Sequence, residues 1–141
     1  MSLMMHILAD ERLKNEEVFA ALEECGMDTS TFELNKMGGV FGYFPLDDGY
    51  WAVISYQKND EFYQRKEAKD FLKADLGIQW SVHSEIYFDF RMTERCNEIL
   101  AHFVEVLAQK TKATLNYSFQ RESTWAIKDD QGLRWLPASS I

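Results

Sequence analysis

The sequence predicts an α+β protein: one domain over residues 1–141, in which two to three helices pack on an antiparallel sheet. Three observations carry that expectation. Residues 82–92 alternate apolar and polar side chains, the period of a strand with one buried face. Two other segments, Val18 to Cys25 and Cys96 to Leu107, repeat apolar residues at the 3.6 spacing of a half-buried helix. Short turns such as Asp48-Gly49 and Asp129-Asp130-Gln131-Gly132 join the remaining strands, and helices interrupt them only two or three times. That order separates α+β from doubly wound α/β, where every strand pair needs a helical crossover.

Met1-Ser2-Leu3, ahead of a second Met, is read as an appended leader without structural weight, and Met4–Leu8 supplies a first strand. Asn15 is placed to cap the first helix. Its stripe is Val18, Phe19, Leu22 and Cys25, with Glu16 and Glu17 in the first turn and Gly26 at the C′ position. The run 38–45 reads as an irregular strand and Tyr50–Tyr56 as its return across the 46–49 turn. A second helix is expected from Asn59 or Asp60 to Leu76. It has a narrow stripe of Phe62, Tyr63, Ala68, Phe71 and Leu72, which places it on the outside or partly over a sheet edge.

In the strand 82–92, Val82, Ser84, Ile86, Phe88, Phe90 and Met92 share one face, and His83, Glu85, Tyr87, Asp89 and Arg91 the other. Thr93 caps the third helix, whose stripe is Cys96, Ile99, Leu100, Phe103, Val104 and Leu107. Then Ala113, Leu115, Tyr117 and Phe119 alternate against Thr114, Asn116, Ser118 and Gln120, and a hairpin of Trp125–Lys128 and Leu133–Leu136 closes the chain. The halves share a β-α-β-β layout without residue identity, the pattern of a pseudo-duplication.

Composition narrows the function classes. A chain of 141 residues with 46% apolar side chains buries a core without metal or disulfide staples. Fifteen basic against 23 acidic residues give a net charge of −8, which disfavours nucleic acid and anionic membranes, since both require clustered Lys and Arg. No apolar run approaches the ~20 residues of a membrane span, and the first ten residues lack the basic and apolar regions of a signal peptide. Two well-separated cysteines fit a reduced, cytoplasmic protein. The acidity is local. Residues 1–38 hold eight acidic and three basic side chains, whereas the last thirty hold three and four.

Catalytic and metal constellations are sparse. His6, His83 and His102 are isolated, so neither a metal site nor a cofactor is expected. Cys96 begins a helix beside Arg95, but it also starts the apolar stripe and is read as a packed thiol. Gly38-Gly39-x-x-Gly42 lacks the Lys-Ser/Thr of a phosphate loop and does not open a helix; these glycines are read as a bulge or a close backbone approach. The polar face around Tyr87 admits two readings, a small-molecule or acid–base cluster and a solvated sheet face, and the solvated face is preferred. The aromatic content, 4 Trp, 6 Tyr and 10 Phe, exceeds what the apolar stripes absorb and points to a protein partner.

The run from Asp75-Leu-Gly77 through Ile78-Gln-Trp-Ser-Val-His-Ser-Glu-Ile-Tyr-Phe-Asp-Phe90, the helix 93–110, Ala113-Thr-Leu-Asn-Tyr-Ser118, and Trp125-Ala-Ile-Lys-Asp-Asp-Gln-Gly132-Leu resembles the C-terminal half of Sit-type (swarming-inhibition toxin) immunity proteins. The resemblance covers about residues 75–136 and rests on a glycine before a strand, a long apolar helix, a strand, and a hairpin with an Asp/Gly turn. The acidic-apolar strand usual in that family stands here as Ala113 to Tyr117, without the acid. The resemblance implies a small bacterial protein that binds and neutralises a cognate polymorphic toxin without catalysis of its own.

Two functional expectations follow. As an immunity or inhibitor module, the chain steers a basic toxin domain with Glu16, Glu17, Glu23 and Glu24 and anchors it with Trp51, Trp80 and Tyr87. As a small-molecule-binding regulatory domain, it lines a closed apolar pocket of roughly 300 Å³ or more with Trp51, Trp80 and Tyr87, with Glu85 or Asp89 meeting a cation.

Overall fold

A computed structural model describes residues 3–34, 39–46, 51–58, 68, 70–74, 80, 82–90, 94–120 and 122–136. Its centre is an eight-stranded antiparallel sheet. In chain order the elements are β1 (Leu3–Ala9), α1 (Asn15–Glu24), a 3₁₀ turn (Thr29–Thr31), β2 (Glu33–Leu34), β3 (Val40–Pro45), β4 (Trp51–Lys58), β5 (Ser84–Phe90), α2 (Glu94–Lys110), β6 (Leu115–Phe119), β7 (Ser123–Asp129) and β8 (Gly132–Trp135). In space the strands run β2-β3-β4-β5-β1-β6-β7-β8. Each half contributes a lead strand, a helix and a hairpin, and the lead strands β1 and β5 pair at the middle of the sheet. The hairpins join in opposite senses: β5 takes the second strand of β3–β4, whereas β1 takes the first of β6–β7.

Strand alternation decides which side chains meet the helices. Met5, Ile7, Ile54, Ile86, Phe88, Leu115 and Tyr117 face one way into a core with Val18, Ala21 and Leu22 of α1 and Leu100, Phe103, Val104 and Leu107 of α2. Phe44, Phe88 and Phe103 meet edge to face at its centre, with centroids 5.3–5.7 Å apart. The stripes expected for both helices are therefore buried where the period placed them, and Ile99 and Phe19 pack at the margin.

The end of α1 follows the expected signal. Gly26 has φ +93°, the Gly26 N–H donates to Glu23 O and the Met27 N–H to Leu22 O, the two bonds of a Schellman cap. Its start differs. Lys14 is the N-cap, and its N–H is accepted by Glu17 at 2.9 Å, while Asn15 lies inside the helix and accepts a hydrogen bond from Tyr56 Oη at 2.7 Å. Asn15 is thus a tie between helix and sheet. Gly42 shows the expected close approach: a Cβ there would meet Met27 Cε at 2.9 Å and Phe32 Cδ1 at 3.2 Å.

Three other expectations change, and one strand is added. Leu3 is part of β1, opposite Phe90, because the register continues that far. Strand β2 pairs Glu33 with Phe41 and Leu34 with Val40, a contact too short to leave a periodic signal. Of the second helix, residues 68 and 70–74 are described and helical. Ala68 and Leu72 pack on Leu8 of the central strand β1 rather than over an edge. Val82 joins that same cluster, so the alternation of β5 begins only at Ser84. Arg91, Met92, the expected Thr93 cap, the 47–49 turn, and the second helix's Asn59 or Asp60 start, Phe62, Tyr63 and Leu76 end lie outside the described residues.

A polar clamp ties the ends of β1, β6 and β7 together. The buried Asp10 carboxylate accepts from Arg12 Nε and Nη2 at 3.2 and 3.0 Å and from the Thr114 N–H at 3.1 Å. Burial works to raise its pKa, but the Arg12 and Thr114 bonds prevail and hold it below the usual carboxylate value. Beside it, buried Lys128 donates from Nζ to the Thr111 and Ala113 carbonyls at 2.6 and 3.1 Å, and burial lowers its pKa.

Candidate interaction surface

The sheet has a second face, opposite α1 and α2, and Glu85, Tyr87 and Asp89 of β5 project there. Register builds it row by row. One row runs Ser55, Tyr87, His6, Ser118 and Thr124 across β4, β5, β1, β6 and β7. On one side of it lie Gln57, Glu85, Leu8 and Asn116. On the other lie Tyr43, Val53, Asp89 and Met4, with Trp51 one step further along β4.

The solvated-face reading does not hold for the middle of this surface. His6, Ser55, Gln57, Glu85, Asn116, Ser118 and Thr124 are all buried. Among the described residues the cover is Ala68, Leu72 and Val82 on Leu8, with Phe71 and Trp80 packed against them. Glu85 Oε2 accepts from His6 Nδ1 at 2.9 Å, so both ends of the contact are held out of water by one another. The half-buried Tyr87 ring sits 5.9 Å from the His6 ring. Asn116 Nδ2 donates to Thr124 Oγ1 at 3.1 Å.

Ser118, His6 and Glu85 form a hydroxyl–imidazole–carboxylate series on adjacent strands. Ser118 Oγ, however, makes no hydrogen bond, so the nucleophile-to-base contact that acyl transfer requires is not made. Among the described residues no three His, Cys, Asp or Glu side chains converge as metal ligands.

Toward the Pro45 end the surface opens. Tyr43 and Trp51 are 58% and 59% exposed and meet edge to face at 6.0 Å, with Val53 beside them also exposed. Their in-between neighbours Phe44 and Ala52 are fully buried on the helix side, which is why these three must point outward. Asp89, opposite Val53, is half-buried and has no hydrogen bond or ion pair among the described residues. Alternation against Phe44 puts Tyr43 on the other face of β3 without saying which face is exposed. Its pairing with Trp51 depends on register.

The expected anchors therefore separate. Trp51 is exposed at the open end, Tyr87 lies midway beside His6, and Trp80 packs into the Leu8–Leu72 cover. The acidic residues of α1 lie on the opposite side of the sheet, so acid and aromatics do not form one continuous surface. Three of the four also have internal partners. Glu17 accepts from Lys14 N and Thr111 Oγ1, both at 2.9 Å, Glu23 from Thr29 Oγ1 at 2.6 Å, and Glu24 pairs with Lys110 at 3.0 Å. Glu16 is exposed and makes no such bond among the described residues.

A groove of about 500 Å³ lies on the helix side, between Cys25-Gly26, Pro45-Leu46 and the α2 residues Arg95, Glu98, Ile99 and His102. None of Trp51, Trp80 or Tyr87 lines it, so it is not the expected small-molecule pocket. Burial, then the charge of Glu24, pushes the Cys25 thiol up to about 11, away from nucleophilic behaviour. Among the described residues no helix is long and apolar enough to cross a membrane.

Fold and site together define an α+β protein whose sheet is polar and covered at the middle of one face and aromatic at its open end. No family model, curated protein or solved structure matches the chain significantly.

Proposed function

We propose that this protein is a non-enzymatic immunity or inhibitor module that binds and neutralises a cognate toxin domain through the open end of its second sheet face. One observation carries the reading: the exposed Tyr43–Trp51 pair with Val53, an apolar and aromatic cluster held on two hydrogen-bonded strands. Large aromatic side chains already fixed in place lose little entropy on docking, and residues of this kind dominate binding energy at protein interfaces. The net charge of −8 favours a basic partner and speeds its approach. The resemblance of residues 75–136 to Sit-type immunity proteins implies the same class of partner.

The test is co-expression with a toxin domain encoded beside this gene. The expected result is restored growth and a complex that co-elutes on size exclusion. Trp51→Ala should weaken that complex by about tenfold or more while leaving the thermal midpoint in place. Full affinity in Trp51→Ala would remove this surface as the contact, and no complex with a neighbouring toxin at low salt would overturn the reading.

A further inference from the structure

We infer that the open end of the second face is an arginine-binding patch, in which a partner's guanidinium stacks on the Tyr43–Trp51 pair and donates to Asp89. The inference rests on the reading above for one point only, that the partner is a protein. Three features of the surface specify the chemistry.

The first is Asp89, a half-buried carboxylate without a hydrogen bond or ion pair among the described residues. A carboxylate that has lost part of its hydration and has no partner among those residues is a strong acceptor for a charged donor. The second is its neighbourhood. Val53 pairs directly with both Tyr43 and Asp89, so neighbouring-strand spacings of about 4.8 Å separate the row, and Trp51 lies on the diagonal within reach of a long side chain. The third is ring geometry. Tyr43 and Trp51 meet at an interplanar angle of 78°, and in an edge-to-face pair one ring keeps both π faces free.

A planar guanidinium satisfies both requirements at once, since it stacks on an aromatic face while its N–H groups point in plane toward a carboxylate. An ammonium lacks the plane, and a divalent metal would find one carboxylate where it needs several oxygens. A nucleic acid is repelled by the charge of −8. A second copy of this chain carries the same repulsion, and its described Arg12, Arg95 and Arg134 already pair with Asp10, Glu98 and Asp129. The occupant is therefore an arginine side chain on a basic protein surface.

The experiment uses the full chain, isotopically labelled for NMR, titrated at low salt with the capped peptide Gly-Arg-Gly. The same peptide with lysine or citrulline in place of arginine serves as control. The expected result is a saturable shift of the Trp51 indole N–H and of the Val53 and Asp89 amides, weaker by about fivefold or more for citrulline, which keeps the shape and loses the charge. Asp89→Asn should reduce the arginine response by about threefold or more with an otherwise unchanged spectrum. Equal shifts from lysine or citrulline, shifts centred on Glu16 and Glu23, or no shift at these three residues up to about 50 mM peptide would each overturn the inference. The peptide contains no toxin. A negative result therefore removes the arginine assignment alone, while the toxin-binding reading stands or falls by co-expression.

Discussion

At Gly42 a Cβ would meet the Met27 methyl at 2.9 Å and the Phe32 ring at 3.2 Å, so a side chain fits only if both give way. Gly42→Val should destabilise the fold by about 1–3 kcal/mol, the usual cost of overpacking a fixed core, read as a lowered urea midpoint with an unchanged slope. Asp10 makes a prediction about pH. Its folded pKa lies below the usual aspartate value, so between the two the unfolded chain holds a proton that the folded chain has released. Its stabilisation is fully present above the unfolded pKa and is lost as pH falls through the folded one. In Asp10→Asn, the part of the acid-unfolding slope below about pH 4 that belongs to this group should vanish, and stability near neutrality should fall. A slope unchanged from wild type would show that other carboxylates govern acid unfolding.

At the scale of elements, α1 is held at both ends by different devices. Its C-terminus is a local matter, a positive-φ glycine closing a Schellman cap, and Gly26 announces it in the sequence. Its N-terminus depends on Glu17, whose carboxylate takes both the Lys14 N–H within the helix and the Thr111 hydroxyl just beyond α2. Glu17→Ala should therefore cost about 1–2 kcal/mol, as a lost cap does, whereas exposed Glu16→Ala should stay within about 0.5 kcal/mol. Thermal melts of the two variants measure the contrast directly. Asn15 was the more obvious cap by residue type. Side-chain preference identifies that a helix starts nearby, but which residue leaves the helix is decided by the path of the preceding chain, here drawn in by Asp10 and Arg12.

At the scale of the molecule, the sheet carries a hydrophobic cluster on each face. Leu72 is fully buried against Leu8, Ala68 and Val82, in a cluster separate from the main core. Leu72→Ala should cost about 2–5 kcal/mol and expose the His6–Glu85 pair to water, giving faster amide exchange in β1 and β5 than in β7. Exchange that rises uniformly across the sheet would mean that the two clusters unfold as one.

Sequence alone determined the fold class, both amphipathic helices, the two hairpins and the Gly26 stop, because each follows from local period or backbone chemistry. Alternation sets Tyr43 and Trp51 on the face opposite Phe44 and Ala52, but which face meets solvent was decided by where the helices pack. What only the tertiary structure decided is which strands lie side by side. That order puts β1 between β5 and β6 and sets His6 within hydrogen-bonding distance of Glu85, 79 residues away. It also places the 68–74 segment over the middle of the sheet, turning an alternating, apparently solvated strand into one covered on both sides. Alternation reports that a strand has two kinds of face. Whether the polar face meets water depends on what distant chain lies against it, and no local pattern carries that information.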